Sequence, residues 1–209
     1  MMPLPRGRNA APREVVWESQ RGRMLAAIAE AVGSAGYAEV SVADVVARAG
    51  VSRKTFYEHF DNKLECFLAA YDAGVETTLG AIDDAIAGAP AEPLAIAEAG
   101  TRRYLETLAS NPAFARTFLI EVLAAGPEAL ARRARVHERF ADQLAAVYRA
   151  ASPGAPDPPP HVFRACVGAI HELVIDHVFH EGAESLPALL EPILEVERAL
   201  LLAPARRQS

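Results

Sequence analysis

The fold is decided by residues 41–64, which read SVADVVARAGVSRKTFYEHFDNKL. Ser41 opens a capping-box pattern, and apolar residues then recur at helical spacing until Gly50 ends the helix. Ser52 is a typical N-cap residue, and it predicts a second short helix over about 53–60. Two short helices joined by a tight turn that contains glycine predict a helix-turn-helix.

The turn and the second helix have the residue types that such a motif needs. Ala47 is small enough for two helices to cross closely, Gly50 accepts the left-handed backbone, and Val51 fills the small core. Arginine can read guanine in the major groove, while hydroxyl, lysine and phenol groups suit phosphates. We therefore expect DNA contacts from Ser41, Ser52, Arg53, Lys54, Thr55, Tyr57 and His59, and from Lys63 at the start of the next helix.

The rest of the chain is also helical in pattern, which predicts an all-α protein. Apolar residues recur at spacings of three and four, and no segment shows strand alternation. The predicted later helices span about 63–86, 94–109, 112 onward, 127–150, 161–180 and 186–202, and we expect the last of them to be kinked or to start late at Pro192. We divide the chain into a flexible arm (1–16), a helix-turn-helix domain (17–65), and a ligand-binding and dimerisation domain (66–209).

Charge and cysteine content indicate the cellular setting. The net charge is −6, yet residues 1–65 hold nine Lys and Arg against eight Asp and Glu. The acidic excess therefore lies in the body of the protein, residues 66–209. Cys66 and Cys166 lie in apolar patterns, which predicts buried free thiols in a reducing compartment. There is neither an apolar signal-peptide core nor an apolar run of eighteen residues, so we expect a cytoplasmic protein without a membrane partner.

Residues 41–64 resemble the signature of TetR-family regulators, through Ala-Gly-Val-Ser at 49–52 and then Tyr57, Phe60, Lys63 and Leu64. The resemblance covers about residues 20–68, and beyond residue 90 only the number, length and order of the helices match. It implies a nine-helix dimer, whose last two helices form an intersubunit four-helix bundle, and ligand-controlled repression. Lys54 departs from the pattern, because many members carry a small residue there.

The N-terminal arm contains a second candidate DNA contact. Pro5-Arg6-Gly7-Arg8 is similar to the core of an AT-hook, an extended segment that places arginine in a narrow minor groove. Arg6 and Arg8 are therefore candidate minor-groove residues. The alternative is a tail that reads no sequence, since Asn9 follows where the motif has proline.

Histidines and acids on the helix at 161–180 raise the question of a metal site. Imidazole and carboxylate groups one turn apart can share an ion, and the candidate groups here are His171, Glu172, Asp176, His177 and His180. The histidines at 171 and 177 are six residues apart, which is not the zinc-protease spacing. The favoured interpretation is a set of polar groups in the dimer bundle or at its rim, and a further alternative is a pH-sensitive interface, so we expect neither a metal nor a cofactor.

Aromatic and apolar residues in the body predict a cavity for a small lipophilic effector. Candidate lining residues are Tyr104, Phe118, Glu121, Tyr148 and His171. The last two predicted helices also present more aliphatic surface than a monomer should expose, which favours a homodimer. The dimer residues would be Val167, Ile170, Val174, Val178, Leu189, Ile193, Leu200 and Leu201.

Together these features favour a transcriptional repressor that binds double-stranded operator DNA and leaves it when a small lipophilic ligand binds. One alternative is an effector-independent DNA-binding protein of the same fold. A more remote alternative is a helical enzyme. The sequence has no nucleophile elbow, no glycine-rich phosphate loop and no His/Cys metal quartet, so we expect no enzymatic activity.

Overall fold

The computed structural model describes residues 13–202, which form nine α-helices and no strand. The all-α prediction is thereby confirmed. The helices are α1 (Arg13–Ala35), α2 (Val42–Ala49), α3 (Arg53–His59), α4 (Lys63–Ala87), α5 (Pro93–Ala109), α6 (Pro112–Leu119), α7 (Pro127–Ala151), α8 (Pro160–His180) and α9 (Leu190–Glu197). Short 3₁₀ segments cover Glu121–Leu123 and Ala183–Leu189, and a π-helical turn covers Arg198–Leu202.

Two helix boundaries differ from the sequence prediction. The first helix begins at Arg13, so the last four residues of the predicted arm 1–16 are helical. The predicted final helix 186–202 is divided into 3₁₀, α and π segments. Pro187 lies within the 3₁₀ segment and Pro192 in the first turn of α9, where a missing N–H is tolerated.

Side-chain caps fix where α2, α3 and α4 begin, as the sequence predicts for α2 and α3. The Ser41 and Asp44 side chains each bond the other residue's backbone N–H, which completes the capping box of α2. Ser52 Oγ accepts from the Thr55 N–H at 3.0 Å to cap α3. Asn62 Oδ1 caps α4. Each cap satisfies a backbone donor that the helix leaves free.

The turn between α2 and α3 depends on glycine, but its small core differs from the prediction. Gly50 has φ 62° and ψ 39°, the left-handed conformation expected of it. Ala47 is exposed, so the expectation that it allows a close helix crossing is wrong. Ala49 is the buried small residue here, and Val51 packs partly buried against the same core.

Helix α6 joins the N-terminal helices to the body through a very close contact with α1. A Cβ at Gly33 would lie 2.1 Å from the Ala113 carbonyl oxygen, so only glycine fits between the two backbones. Thr117 Oγ1 also donates to the Ala29 carbonyl at 2.7 Å in a buried hydrogen bond. The two helices are therefore held in one register.

Helix α4 contacts both the N-terminal helix α1 and the later helices α5, α6 and α7. Its length is about 37 Å at 1.5 Å per residue. Gly74 on α4 makes room for two aromatic rings of α6, because a Cβ there would overlap Phe114 and Phe118. Further along, Arg132 and Arg139 of α7 form ion pairs with acids on α4, namely Asp72 and Glu76 respectively. Helix α4 therefore packs closely against α6 and is linked to α7 by ion pairs.

The structure corrects part of the predicted dimer surface. Val174 and Ile193 are wholly buried inside the protomer, and Leu201 is buried as well, so these three side chains belong to the core. By contrast, Phe179 is 73% exposed and Leu200 is 41% exposed. The apolar surface available to a second copy therefore includes the predicted Leu200 and adds Phe179, which was not among the predicted residues.

Candidate DNA-binding surface and effector cavity

The outer face of α3 carries exposed side chains of the kind that bind DNA. Arg53, Lys54 and Tyr57 are all exposed, with the Lys54 side chain 88% accessible. The Arg53 guanidinium lies 6.0 Å from the centre of the Tyr57 ring. The Ser52 and Thr55 hydroxyls lie 2.9 Å apart at the start of the helix. Five of the predicted DNA-contacting residues therefore share one short segment.

The remaining predicted contact on α3, His59, turns towards α1 instead. Its ring stacks on Trp17 with 3.6 Å between ring centres, and its Nε2 is buried without a hydrogen-bond partner. Burial lowers the pKa of His59, because a charged imidazole would lose hydration there. The geometry gives His59 a packing role between α1 and α3 and separates it from the exposed face.

Lys63 at the start of α4 is engaged within the protein. Its Nζ donates to the carbonyl oxygens of Tyr37 and Val40, both at 2.7 Å, and lies 4.1 Å above the Tyr37 ring. Burial lowers the pKa of this lysine. Lys63 thus ties the α1–α2 connection to α4. Ser41, also predicted to contact DNA, remains exposed while it caps α2. The candidates Arg6 and Arg8 lie outside the described residues.

A cavity of about 140 Å³ lies among α4, α5, α6, α7, α8 and α9. Its lining is mostly aliphatic and aromatic. Three of the five predicted lining residues, Tyr104, Phe118 and His171, do border this cavity. The Phe118 ring stacks on Tyr71 at 4.5 Å, so part of the wall is formed by packed aromatic side chains.

Glu121 and Tyr148 were also predicted to line the cavity, and the structure places both elsewhere. Glu121 is buried beside the α1–α2 connection, where it accepts from the Tyr37 N–H at 2.9 Å and lies 3.5 Å from Arg116. Tyr148 donates its hydroxyl to the Pro156 carbonyl at 3.1 Å, within the loop between α7 and α8. Glu121 therefore links the body to the N-terminal helices.

Sequence reasoning missed the acid that the cavity contains. Glu197 of α9 is only 8% exposed, and its Oε1 accepts from Thr101 Oγ1 at 3.1 Å. Its Oε2 is buried without a partner, and burial raises the pKa of Glu197 to about 7. A signal was present, because Glu197 lies four residues from each of the buried residues Ile193 and Leu201, on an apolar stripe.

Two histidines also border the cavity as a pair. His137 and His171 have ring centres 4.4 Å apart, and the Nε2 atoms of both are buried without partners. Burial lowers the pKa of His137 to about 4 and that of His171 to about 3, with nearby Arg133 lowering both further. Both imidazoles are therefore neutral near pH 7.

The other polar groups of α8 are dispersed. His180 Nε2 lies 3.4 Å from Asp176 Oδ1, and His177 Nε2 lies 2.8 Å from Ser185 Oγ. Within residues 13–202, no three His, Cys, Asp or Glu side chains are grouped so that they could hold a metal ion. Over the same range, no helix is both long and apolar enough to cross a membrane.

The two cysteines are buried free thiols, as predicted. Cys66 and Cys166 are both inaccessible to solvent. Burial raises the pKa of each to about 12, so neither forms the reactive thiolate at neutral pH.

Comparison with known proteins points to one family for the N-terminal helices. Residues 24–70 match the family model described as bacterial regulatory proteins, tetR family. The HTH-type transcriptional regulator EthR from Mycolicibacterium smegmatis is 31% identical over 124 residues, which are 59% of this chain and 56% of that protein. The HTH-type transcriptional activator FasR from the same species is 30% identical over 82 residues, 39% of this chain and 37% of that protein. These matches span little more than half of the first curated relative and less of the second.

Solved structures share the fold over most of the chain. The fatty acid degradation regulator FadR from Bacillus halodurans superposes with a TM-score of 0.76 at 17% identity, over 90% of this chain and 96% of that one. FadR from Bacillus subtilis, solved in complex with stearoyl-CoA, gives 0.73 at 15% identity, over 84% and 96%. A TetR-family regulator from Streptomyces coelicolor gives 0.67 at 22% identity, over 87% and 97%. The helix-turn-helix signature and the relatives agree for the N-terminal helices, and residues 24–70 form a helix-turn-helix domain of the tetR family of bacterial regulatory proteins.

Proposed function

We propose that the protein is a homodimeric transcriptional repressor that binds operator DNA through α3 and is released when a small lipophilic ligand occupies the cavity. The observation that carries this proposal is the pairing of an exposed Arg- and Lys-bearing helix with an apolar cavity in one chain. The stearoyl-CoA complex of a protein with the same fold supports a lipophilic class of ligand.

Two connections could transmit a change in the cavity to the DNA-binding helices. Helix α4 borders the cavity with Val75, Thr78 and Ile82, and it begins at Lys63 beside the helix-turn-helix. Helix α6 borders the cavity with Phe118 and hydrogen-bonds to α1. A ligand that displaces either helix would move the N-terminal helices of each protomer.

This movement would weaken DNA binding through the geometry of the dimer. Two recognition helices that enter successive major grooves must lie about 34–36 Å apart. The ligand acts only through its different affinity for the two dimer states, and a hundredfold loss of DNA affinity requires about 2.7 kcal/mol of coupling. Operator DNA must then weaken ligand binding by the same factor.

The test begins with selection of fragments bound by the full-length protein from random DNA. A selected operator is then used in a screen of lipophilic compounds for release, and each hit is titrated calorimetrically into the protein with and without operator. We expect tighter binding to the free protein. Equal affinities in both titrations would contradict ligand-controlled release and would favour an effector-independent regulator.

A further inference from the structure

The cavity has few polar groups, and among its described lining residues they include an acid but no lysine or arginine. The acid is Glu197, which contributes a carboxyl group. The two lining histidines, His137 and His171, have pKa values of about 4 and about 3, so they are neutral at physiological pH. The cavity therefore offers an acid but no cation to a ligand.

The Glu197 carboxyl group is only half satisfied by the protein. Thr101 donates to Oε1 at 3.1 Å, whereas Oε2 is buried and has no donor within reach. A buried acceptor without a partner loses its hydration without compensation, and a buried charge loses more. A ligand that supplies a donor at Oε2 would remove this penalty.

We propose that the effector is a lipophilic amine whose ammonium group donates a hydrogen bond to Glu197 Oε2 while its apolar part lies against the aliphatic and aromatic walls. This assignment rests on the proposed function and specifies the ligand class of the same cavity. An ammonium both donates and neutralises the carboxylate, so it is a better partner than a neutral hydroxyl group. A fatty-acid carboxylate would face Glu197 with a like charge.

The groups around Glu197 leave this role open to a ligand. On its own segment, Arg198 is exposed, and its guanidinium lies 3.9 Å from Glu191. From α5 comes the neutral Thr101 hydroxyl, and from α8 comes Cys166, whose pKa of about 12 keeps it protonated. Across the cavity lie His137, His171 and the tyrosines at 71 and 104, and burial raises the pKa of both tyrosines.

These assignments predict a pH signature. Glu197 has a pKa of about 7 in the free protein, so it carries a proton in a large fraction of molecules at that pH. An ammonium favours the carboxylate and expels that proton, while an alkylamine, like lysine with a pKa of about 10.4, stays charged. Amine affinity should therefore rise between about pH 6 and 8. Calorimetry in buffers of different ionisation enthalpy should detect proton release.

The experiment titrates n-octylamine, 1-octanol and octanoate into the full-length protein without DNA. We expect octylamine to bind most tightly and octanoate most weakly. Glu197→Gln keeps the acceptor for Thr101 but removes the charge, and it should weaken octylamine binding roughly ten- to a hundredfold, the range of a charge-assisted hydrogen bond. It should also abolish the pH dependence and the proton release.

The matched control is Glu195→Gln, because Glu195 lies on the same helix but is exposed. This variant should bind octylamine as the wild type does. Thr101→Val provides a second test at the same carboxyl group, since loss of its hydrogen bond should raise the pKa of Glu197 and move the pH dependence upward.

Three outcomes would overturn the assignment: octanoate binding at least as tightly as octylamine, an unchanged octylamine affinity in Glu197→Gln, or no binding of any of the three probes. None of them tests DNA release, because no operator is present. The assignment can therefore fail while ligand-controlled repression survives. Conversely, amine binding that leaves operator affinity unchanged would contradict the proposed function alone.

Discussion

Arg53 and Lys54 are neighbours at the start of α3, yet their side chains suit different groups of DNA, the base edges and the phosphates respectively. The guanidinium group of Arg53 is a planar fork that can bond two acceptors of guanine at once, whereas the Lys54 ammonium is a compact charge. Lys54 also lies 3.8 Å from Glu58 across an exposed surface, a weak ion pair that DNA phosphates can replace. We therefore propose that Arg53 reads a base and that Lys54 binds a phosphate.

Arg53→Ala should weaken binding to the selected operator by about 1–3 kcal/mol and relax the base preference at one position of each half-site. Lys54→Ala serves as the comparison. It should weaken binding similarly on all sequences and reduce the salt dependence by about one phosphate contact. Fluorescence anisotropy on a panel of operator variants at several salt concentrations measures both effects. A uniform loss across bases for Arg53→Ala would contradict the assignment.

His171 should make the protein sensitive to acid. Its pKa is about 3 in the folded protein, below the value of about 6.5 for an exposed imidazole. The unfolded chain therefore binds more protons between these values, and the free energy of unfolding should rise with pH across about 3–6.5. His171→Gln should flatten part of this rise in melting temperatures measured from pH 4 to 7.

The control for this prediction is His161→Gln, because His161 is exposed near the start of the same helix. It should leave the slope unchanged. An identical pH profile for the wild type and His171→Gln would show that the buried imidazole does not contribute.

The motif allowed the exposed positions of α3 to be predicted from sequence, but it did not fix the roles of all its polar residues. Arg53, Lys54 and Tyr57 are exposed as the helical pattern implies. His59 packs on Trp17, which directly follows the predicted flexible arm 1–16 and lies more than forty residues away, so its partner was not foreseen. Lys63 bonds to carbonyl groups more than twenty residues away. Such long-range contacts leave no trace in local periodicity.

At the scale of elements, α6 and the 3₁₀ segment after it connect the cavity to α1. Phe118 borders the cavity, and the adjacent Thr117 donates a hydrogen bond to the Ala29 carbonyl of α1. In the 3₁₀ segment, Glu121 accepts a hydrogen bond from the Tyr37 N–H. Tyr37 in turn accepts from Lys63. We propose that this connection, in addition to α4, carries the ligand's effect to the DNA-binding helices.

Glu121→Gln should weaken this coupling more than it weakens either binding event alone. The amide keeps one acceptor oxygen for Tyr37 but loses the charge beside Arg116. The ratio of ligand affinities with and without operator should move towards one. Glu128→Gln, at an exposed position in the first turn of α7, is the control. A wild-type ratio in Glu121→Gln would remove this contact from the coupling.

Gly74 and Gly80 on α4 offer a matched pair for the packing against α6. A Cβ at Gly74 would lie 1.7 Å from Phe114 Cζ, whereas one at Gly80 would meet nothing within 4 Å. Gly74→Ala should lower the free energy of unfolding by about 1–3 kcal/mol through overpacking. Gly80→Ala should raise it by roughly 0.5–1 kcal/mol through helix propensity. Denaturant unfolding of both variants measures this, and equal effects would contradict the close packing.

Helix number and most boundaries could be predicted because caps and glycine turns are local signals. The cavity could be predicted only in outline. Tyr104, Phe118 and His171 were found by residue type, but Glu197 and Thr101 were not, because their proximity depends on how α5 and α9 pack. For the same reason, nothing local distinguished the cavity from the junction at Glu121.

For the whole molecule, the homodimer remains a prediction whose surface the structure corrects in part. Phe179 on α8 and Leu200 after α9 are large apolar side chains that a protomer leaves exposed. Burial of such side chains in a second copy would be favourable at roughly 25 cal/mol per Å². The buried Val174 would not be a useful test position, because its replacement by a charge would damage the core.

The double variant Phe179→Glu, Leu200→Glu should convert the dimer to a monomer at micromolar concentration, since like charges would face each other across a two-fold axis. Sedimentation velocity measures the mass. Leu94→Glu, at a 49% exposed position on α5, should remain dimeric. A double variant that still sediments as a dimer would place the interface elsewhere.

The missing side chain at Gly33 has a consequence for exchanging parts between regulators. The α1 and α6 backbones meet there with no room for a Cβ beside the Ala113 carbonyl. A foreign N-terminal segment grafted onto this body would seat in the same register only with glycine at that position. A chimera with alanine there would have to shift its first helix away from α6. This shift would also change the orientation of the transplanted helix-turn-helix. Compatibility between donor and recipient is thus decided at a buried backbone contact that includes none of the predicted DNA-contacting or cavity-lining residues.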